Sequence, residues 1–344
     1  MTSTKTPWIR LIAVLVALCA ARVASAGDEA PVADLALVPR DAVGFVTLNV
    51  KELLLDDVTK EVIKEAQDGQ IGGFDLKQIE RVTLIVTKGS GGGAIEVPCL
   101  IVTFRTPLKR QKVLAALGSD PEKKTVGDRV YFVKAKERAV YFAGERTVVF
   151  GEPDDVAAYL GKELDITKER RFSAANQLAA EHKLLGMLDL SGSMERIQDW
   201  APCSLKEADA VFMATSTFFT ITGDQETSLT GKLTYSDAAA AKHAEKMLPI
   251  VLQQFQDKCT QKREYLSKQR QGEAIKSFPF NHVNEFLTQF CEALGKMQDT
   301  QDECELNLTI TLKLSAAKLV VAHLTDCTGM TEPAPMIGDR YMKR

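Results

Sequence analysis

The sequence predicts an α+β fold of two related halves, each a mostly antiparallel sheet with helices on one face, plus a helical insertion in the second half. Three observations carry this. Short β-branched or alternating apolar runs are separated by Gly, Pro and Asp turn signals. Between them lie segments whose apolar residues recur three and four apart, the helical period. The order of elements before residue 175 then recurs after it, with Phe45 matching Leu185 at a separation of 140. Val82 matches Val211, and Phe104-Arg105-Thr106 matches Leu233-Thr234-Tyr235, both at 129. The expected divisions are a signal peptide over 1–26, a first half over 27–175, a second half over 176–330 with an insertion at 250–302, and a flexible tail over 331–344.

Taken in order, Gly44 to Val50 reads as a strand, and Lys51 to Gln67 as a helix ended by Gly69, Gly72 and Gly73. Arg81 to Thr87 and Val97 to Phe104 form a hairpin about the flexible Lys88 to Gly93 segment. Thr106-Pro107 opens a helix over 108–117. Strands follow at 129–134, 139–142 and 147–151, then a helix at 154–160. In the second half, strands are expected at 184–190, 210–222 and 228–235, with a short helix near 194–200. Ser236-Asp237 caps a helix over 238–248. The insertion reads as helical from Phe286, Phe290, Leu294 and Met297, with Pro249 and Pro279 as punctuation. Leu306 to Leu314 and Leu319 to Thr325 are expected to pair as a closing hairpin. Polar Asn307, Thr309, Thr311 and Lys313 alternate with apolar neighbours, so one face of that sheet is wet or meets a partner.

The N-terminus explains where such a chain is expected to act. Lys5 and Arg10 precede the apolar run Leu11 to Ala21, and Ala24-Ser25-Ala26 supplies small residues at a cleavage site. Arg10 and Arg22 bracket a run too short for the ~20 residues a spanning helix needs. The expectation is export to the periplasm or medium, with no transmembrane segment after cleavage. Loss of 1–26 removes three basic residues and no acid, which makes the remaining chain more acidic than the formal −3 of the whole. That balance argues against nucleic acid, which selects a basic footprint. Six cysteines remain, and an oxidising compartment permits bridges. If the last hairpin turns at Ser315-Ala316, Cys304 faces Cys327 at its mouth and the two can bond. Cys259 and Cys291, in two expected helices, are the next pair, and Cys99 reads as a small buried hydrophobe.

No constellation for catalysis emerges. His182, His243, His282 and His323 have no partner at ligand spacing, and no G-x-S-x-G elbow occurs. Lys88 to Ala94 formally fits GxGxxA, but a strand follows where a phosphate-binding helix is needed. Lys258 to Arg270 is a basic stretch that a solvated helix face explains. Asp189, Ser191 and Ser193, at the end of the expected strand 184–190, form DxSxS. This resembles the metal-ion-dependent adhesion site of von Willebrand factor A domains, which implies a Mg²⁺ held by those three oxygens. That family also implies a parallel central sheet. The other reading of the same residues is a cap on the following helix, as Asn49 would cap in the first half.

Leu37-Val38-Pro39-Arg40-Asp41-Ala42, followed by Phe45-Val46, resembles the LxPxDAxxFV opening of a group of uncharacterised exported bacterial proteins. The resemblance implies export and duplicated α+β domains, and it carries no catalytic residue. The expectation is therefore an exported non-catalytic binding or envelope-structural protein, needing no cofactor and meeting an unknown protein or envelope component. A Mg²⁺-dependent adhesion domain, or a hydrolase whose site is assembled from distant residues, are the alternatives.

Overall fold

The computed structural model describes residues 34–53, 70–71, 74–88, 95–117, 120–134, 138–182, 184–191, 210–211, 213–222, 227–272 and 288–313. Almost every strand joins one sheet. In chain order the strands are β1 (Gly44–Asn49), β2 (Gln70–Ile71), β3 (Phe74–Asp75), β4 (Ile79–Lys88), β5 (Ile95–Glu96) and β6 (Cys99–Phe104). They continue as β7 (Glu122–Val126), β8 (Arg129–Lys134), β9 (Arg138–Phe142), β10 (Thr147–Gly151), β11 (Leu184–Asp189), β12 (Ser216–Thr222), β13 (Thr227–Thr234), β14 (Gln298–Asp302) and β15 (Glu305–Leu312). The helices are α1 (Val50–Leu53), α2 (Arg110–Leu117), α3 (Pro153–Leu160), α4 (Ala175–Glu181) and α5 (Ala238–Gly272), and residues 288–294 are also helical. Strands run across the sheet in the order β14-β15-β13-β12-β11-β1-β4-β6-β10-β9-β8-β7, with every pairing antiparallel. The fold is mixed helix and strand, and mostly antiparallel sheet.

Two glycines make the middle of this sheet possible. A Cβ at Gly44 would lie 2.0 Å from the Met187 carbonyl oxygen, so β1 approaches β11 only because that position is bare. The Phe219 ring lies over Gly186, where an added Cβ would sit 2.0 Å from it.

Alternation sorts the side chains of each strand onto two faces. On the first face Val46, Leu84, Val102 and Val148 pack with Val113 of α2, and Leu184 and Leu312 join them with Phe290 and Ala293. Further along the same face, Leu188, Leu233 and Leu306 lie under Ala241, Ala244, Leu248 and Val251 of α5. Those four recur three and four apart, one stripe of the helix. On the second face Phe45, Ile85, Ile101, Val149 and Leu185 are buried under α3, α4 and the 3-10 turns Leu35–Leu37, Ile166–Lys168 and Arg170–Phe172.

Several expectations change. Ala210–Val211 are helical, so the strand expected over 210–222 begins at Ser216, and Val211 has no strand position to match Val82. The helix expected over 238–248 runs on through Pro249 to Gly272. The insertion is not wholly helical, because 298–302 forms β14. That strand pairs with β15, from Gln298↔Thr309 to Asp302↔Glu305, while β13 takes the other edge. The edge expected for 319–325 is thus filled over 305–309, and the local partner won because a two-residue turn closes at little entropic cost. β7, α4 and the 3-10 turns were not expected. β7 is EKKTV, which lacks an apolar alternation, and α4 is short. No described helix is long and apolar enough to cross a membrane.

Candidate functional site

Beyond β11 the second face of the sheet changes character. Paired residues share a face, so the ladders lay out rows across five strands. One row reads Asp189, Ser216, Thr234, Glu305 and Asp302. The next reads Met187, Phe218, Lys232, Asn307 and Thr300, and a third Leu185, Thr220, Thr230, Thr309 and Gln298. Only Leu185, Met187 and Phe218, at the border with the first half, are apolar. Among the described residues none of the three apolar clusters reaches past that border on this face. The polar alternation expected of 306–313 is therefore present, and it extends over β12 and β14 as well, with Thr220 buried and the other polar residues of these rows half-buried or exposed. Asn307 and Thr309 are half-buried and Thr311 is exposed.

Two ion pairs lie on or beside this face. Lys232 Nζ lies 2.7 Å from Glu305 Oε1. At the border, Arg171 pairs with Asp189 and stacks its guanidinium 5.1 Å above the Phe172 ring. Asp302 is an exposed acid of the first row, and the remaining polar groups are hydroxyls and amides.

Asp189 and Ser191 stand together at the end of β11. The Ser191 amide donates to Asp189 Oδ1 at 2.9 Å, and the Ser191 hydroxyl donates to the same oxygen. Lys88 Nζ reaches the Ser191 carbonyl at 3.5 Å. Ser193 lies outside the described residues. The Asp189 carboxylate is thus engaged by a guanidinium and a local turn, the chemistry of an Asx turn. The sheet around it is antiparallel where the adhesion-domain resemblance implies a parallel one. Among the described residues no group of three His, Cys, Asp or Glu side chains could hold a metal. Asn49 does not act as the expected cap: its Oδ1 is buried without a partner.

Cys304 sits half-buried in the turn between β14 and β15, and its carbonyl accepts the Tyr235 amide at 2.8 Å. Cys327 lies outside the described residues, and the register that would bring it opposite Cys304 competes with β14 for the same edge. Among the described cysteines, Cys99, Cys291 and Cys304 are free. Cys99 is buried, and desolvation pushes its thiol far up, which leaves it inert. Cys291 Sγ lies 3.9 Å from the Gln256 carbonyl oxygen of α5, and the side chain of Cys259 lies outside the described residues.

Sequence reasoning missed one polar cluster, because its members are far apart in the chain. Asp34 is 4% exposed, and its Oδ2 accepts the Thr83 hydroxyl at 2.6 Å. Thr83 Oγ1 is 2.8 Å from Thr47 Oγ1. Arg81 Nε lies 3.8 Å from Asp34 Oδ1, and its Nη1 donates to the Ala179 carbonyl at 3.2 Å. Burial pushes the Asp34 carboxyl up, and Arg81 and Thr83 oppose that. The cluster pins the segment before β1 and helix α4 to the sheet, where it is sealed from solvent. His182 is half-buried with its Nδ1 unpartnered, and desolvation lowers its pKa. His243 is exposed on α5, and His282 and His323 lie outside the described residues.

No protein-family model and no curated protein matches the chain. Among solved structures it is similar to TP0453. Crystal form I of that protein has a TM-score of 0.43 at 10% identity, covering 88% of this chain and 98% of that one. Form III gives 0.39 at 12%, covering 86% and 98%, and form IV 0.40 at 11%, covering 85% and 95%.

Proposed function

We propose that this is an exported, non-catalytic binding protein that meets an envelope component through the polar second face of β12, β13, β15 and β14. The observation that carries the reading is the contrast across β11. On the first-half side the second face is buried under helices and 3-10 turns, and on the other side its rows are polar, with Lys232 paired to Glu305. Export rests on the 1–26 leader. A mature chain that begins at Gly27 supports it, and one that begins at Met1 overturns it.

The two halves are read as a duplication, and the strand ladders support a register for it. Starting from Val46, successive partners outward are Leu84, Leu100, Phe150 and Val140. Starting from Gly186, they are Phe219, Gly231, Leu308 and Asp299. Val46 and Gly186 face each other. On this reading the five strands outward from β1 and the five outward from β11 follow the same connectivity, and β8 and β7 extend the first half further. In this register Leu84 replaces Val82 as the residue to align, and Phe219 replaces Val211.

The test of the binding face is cell fractionation. Thr230→Lys with Thr309→Lys places two cations on the face without touching a buried apolar residue. Thr230 and Thr309 are paired across β13 and β15, and like charges directly opposite each other destabilise a sheet by roughly 0.2–1 kcal/mol, so a small fall in melting temperature with the fold kept is expected. Retention of the protein in the envelope pellet is expected to be lost. Equal retention of wild type and variant overturns the reading.

A further inference from the structure

We infer that Cys259 of α5 and Cys291 of the helical segment 288–294 form a disulfide that clamps these two helices together. The inference goes beyond the binding-face reading and rests only on its export premise, because thiols stay reduced in the cytosol. The two helices meet at one residue of α5. Gln256 Nε2 donates to the Cys291 carbonyl at 3.1 Å, and the Cys291 thiol donates to the Gln256 carbonyl, with Sγ 3.9 Å from the oxygen. A Cβ added at Gly295 would lie 2.9 Å from Gln256 Nε2, so the approach is close there too. Cys259 stands one turn further along α5. Positions three apart are neighbours on a helix surface, about 5–6 Å apart at Cβ. Bonded cysteines have Cα atoms about 4.4–6.8 Å apart. The Cys291 sulfur thus lies against the turn of α5 that carries Cys259.

The fold keeps the other described cysteines away. Cys99 packs in the second-face cluster, whereas α5 covers the first face. The Cys304 carbonyl accepts the Tyr235 amide just before α5 begins. From Ala238 to Gln256 the helix axis advances about 27 Å, at roughly 1.5 Å per residue. Neither Cys99 nor Cys304 can therefore reach Cys259 or Cys291. A clamp also acts where packing thins: among the described residues the apolar stripe of α5 ends at Leu252. Cys291 is a free, half-buried thiol, open to exchange. The oxidant is a disulfide-carrying thiol oxidoreductase of the export compartment. One cysteine thiolate attacks its disulfide to give a mixed disulfide, and the other displaces the remaining carrier sulfur. One S–S bond forms and the carrier's breaks. Two electrons and the two thiol protons pass to the carrier's sulfurs.

The test is peptide mapping of the full chain, expressed with its leader and alkylated on recovery without reductant. Expected is a pair of peptides joined through Cys259 and Cys291, two hydrogens lighter than their sum and separated by reductant. Cys259→Ser should lose that pair and leave Cys291 alkylated. It should melt about 5 °C below the oxidised wild type and level with it once both are reduced, which separates loss of the bridge from damage to the fold. In a second arm the purified, reduced full chain meets oxidised glutathione, and the same joined pair is expected. Alkylated Cys259 and Cys291 in a chain that begins at Gly27, or either residue joined to a different cysteine, overturns the inference. Equal melting of oxidised wild type and Cys259→Ser does the same. Alkylated thiols in a chain that begins at Met1, with the pair forming under glutathione, support the pairing and count against export alone. No joined pair in either arm, from a chain that begins at Met1, ends both.

Discussion

Single residues decide how close neighbouring strands of the sheet can lie. Gly186 leaves the space that the Phe219 ring fills, so Gly186→Val must displace that ring. Overpacking of this kind costs about 1–3 kcal/mol, and a lower denaturant midpoint with an unchanged slope is the expected result. A second residue couples the fold to pH. Asp155, near the start of α3, is half-buried, and desolvation, with Glu152, Glu96 and Asp154 adding repulsion, pushes its carboxyl up to about 6. A carboxyl raised above its ordinary 3.8 binds its proton more tightly when folded. Its stabilising contribution is therefore full below about pH 4 and lost as pH rises through 6. Asp155→Asn should be more stable than wild type at pH 8 by about 1 kcal/mol, discounted for solvent screening, and the advantage should vanish by pH 4. Equal stability at both pH values would contradict this account.

Among the elements, α5 departs furthest from its expected length. A proline in a helix interior removes one hydrogen bond and crowds the preceding turn, which is why the sequence reads as a break at Pro249. The helix continues because Leu248 and Val251, on either side of it, are both buried against the sheet, and Asp237 caps the start by accepting the Ala240 amide at 2.8 Å. Packing outweighs the local penalty. Pro249→Ala should then stabilise the protein by about 1 kcal/mol or more, read as a higher melting temperature. β14 makes the complementary point. QDTQD has no apolar alternation, and it becomes a strand because the turn at Glu303, with φ 46, folds it back onto β15.

For the whole molecule, a single sheet whose centre is covered on both faces and whose ends are open predicts a gradient of local stability. The amides of β1, β4 and β11 have hydrogen-bonded neighbours on both sides, and the first two lie in the two largest apolar clusters. They should exchange with solvent slowest. β7 and β14, at the two edges, should exchange fastest. Fast exchange in β1 would mean that the two sides of β11 open independently.

The antiparallel α+β class, the positions of β1, β4, β6 and β8 to β11, and the polar alternation of 305–312 were all legible from the sequence. Each is written locally, in side-chain period and turn residues, and local patterns survive without knowledge of the partner strand. Tertiary structure alone decided which strands adjoin. It joined β1 to β11 through a glycine, filled the edge of β15 with β14, and drew Asp34, Arg81 and Thr83 into one sealed cluster. Those outcomes depend on which distant surfaces exclude water together and on which partner closes the shorter loop, and neither is encoded in the neighbourhood of a residue.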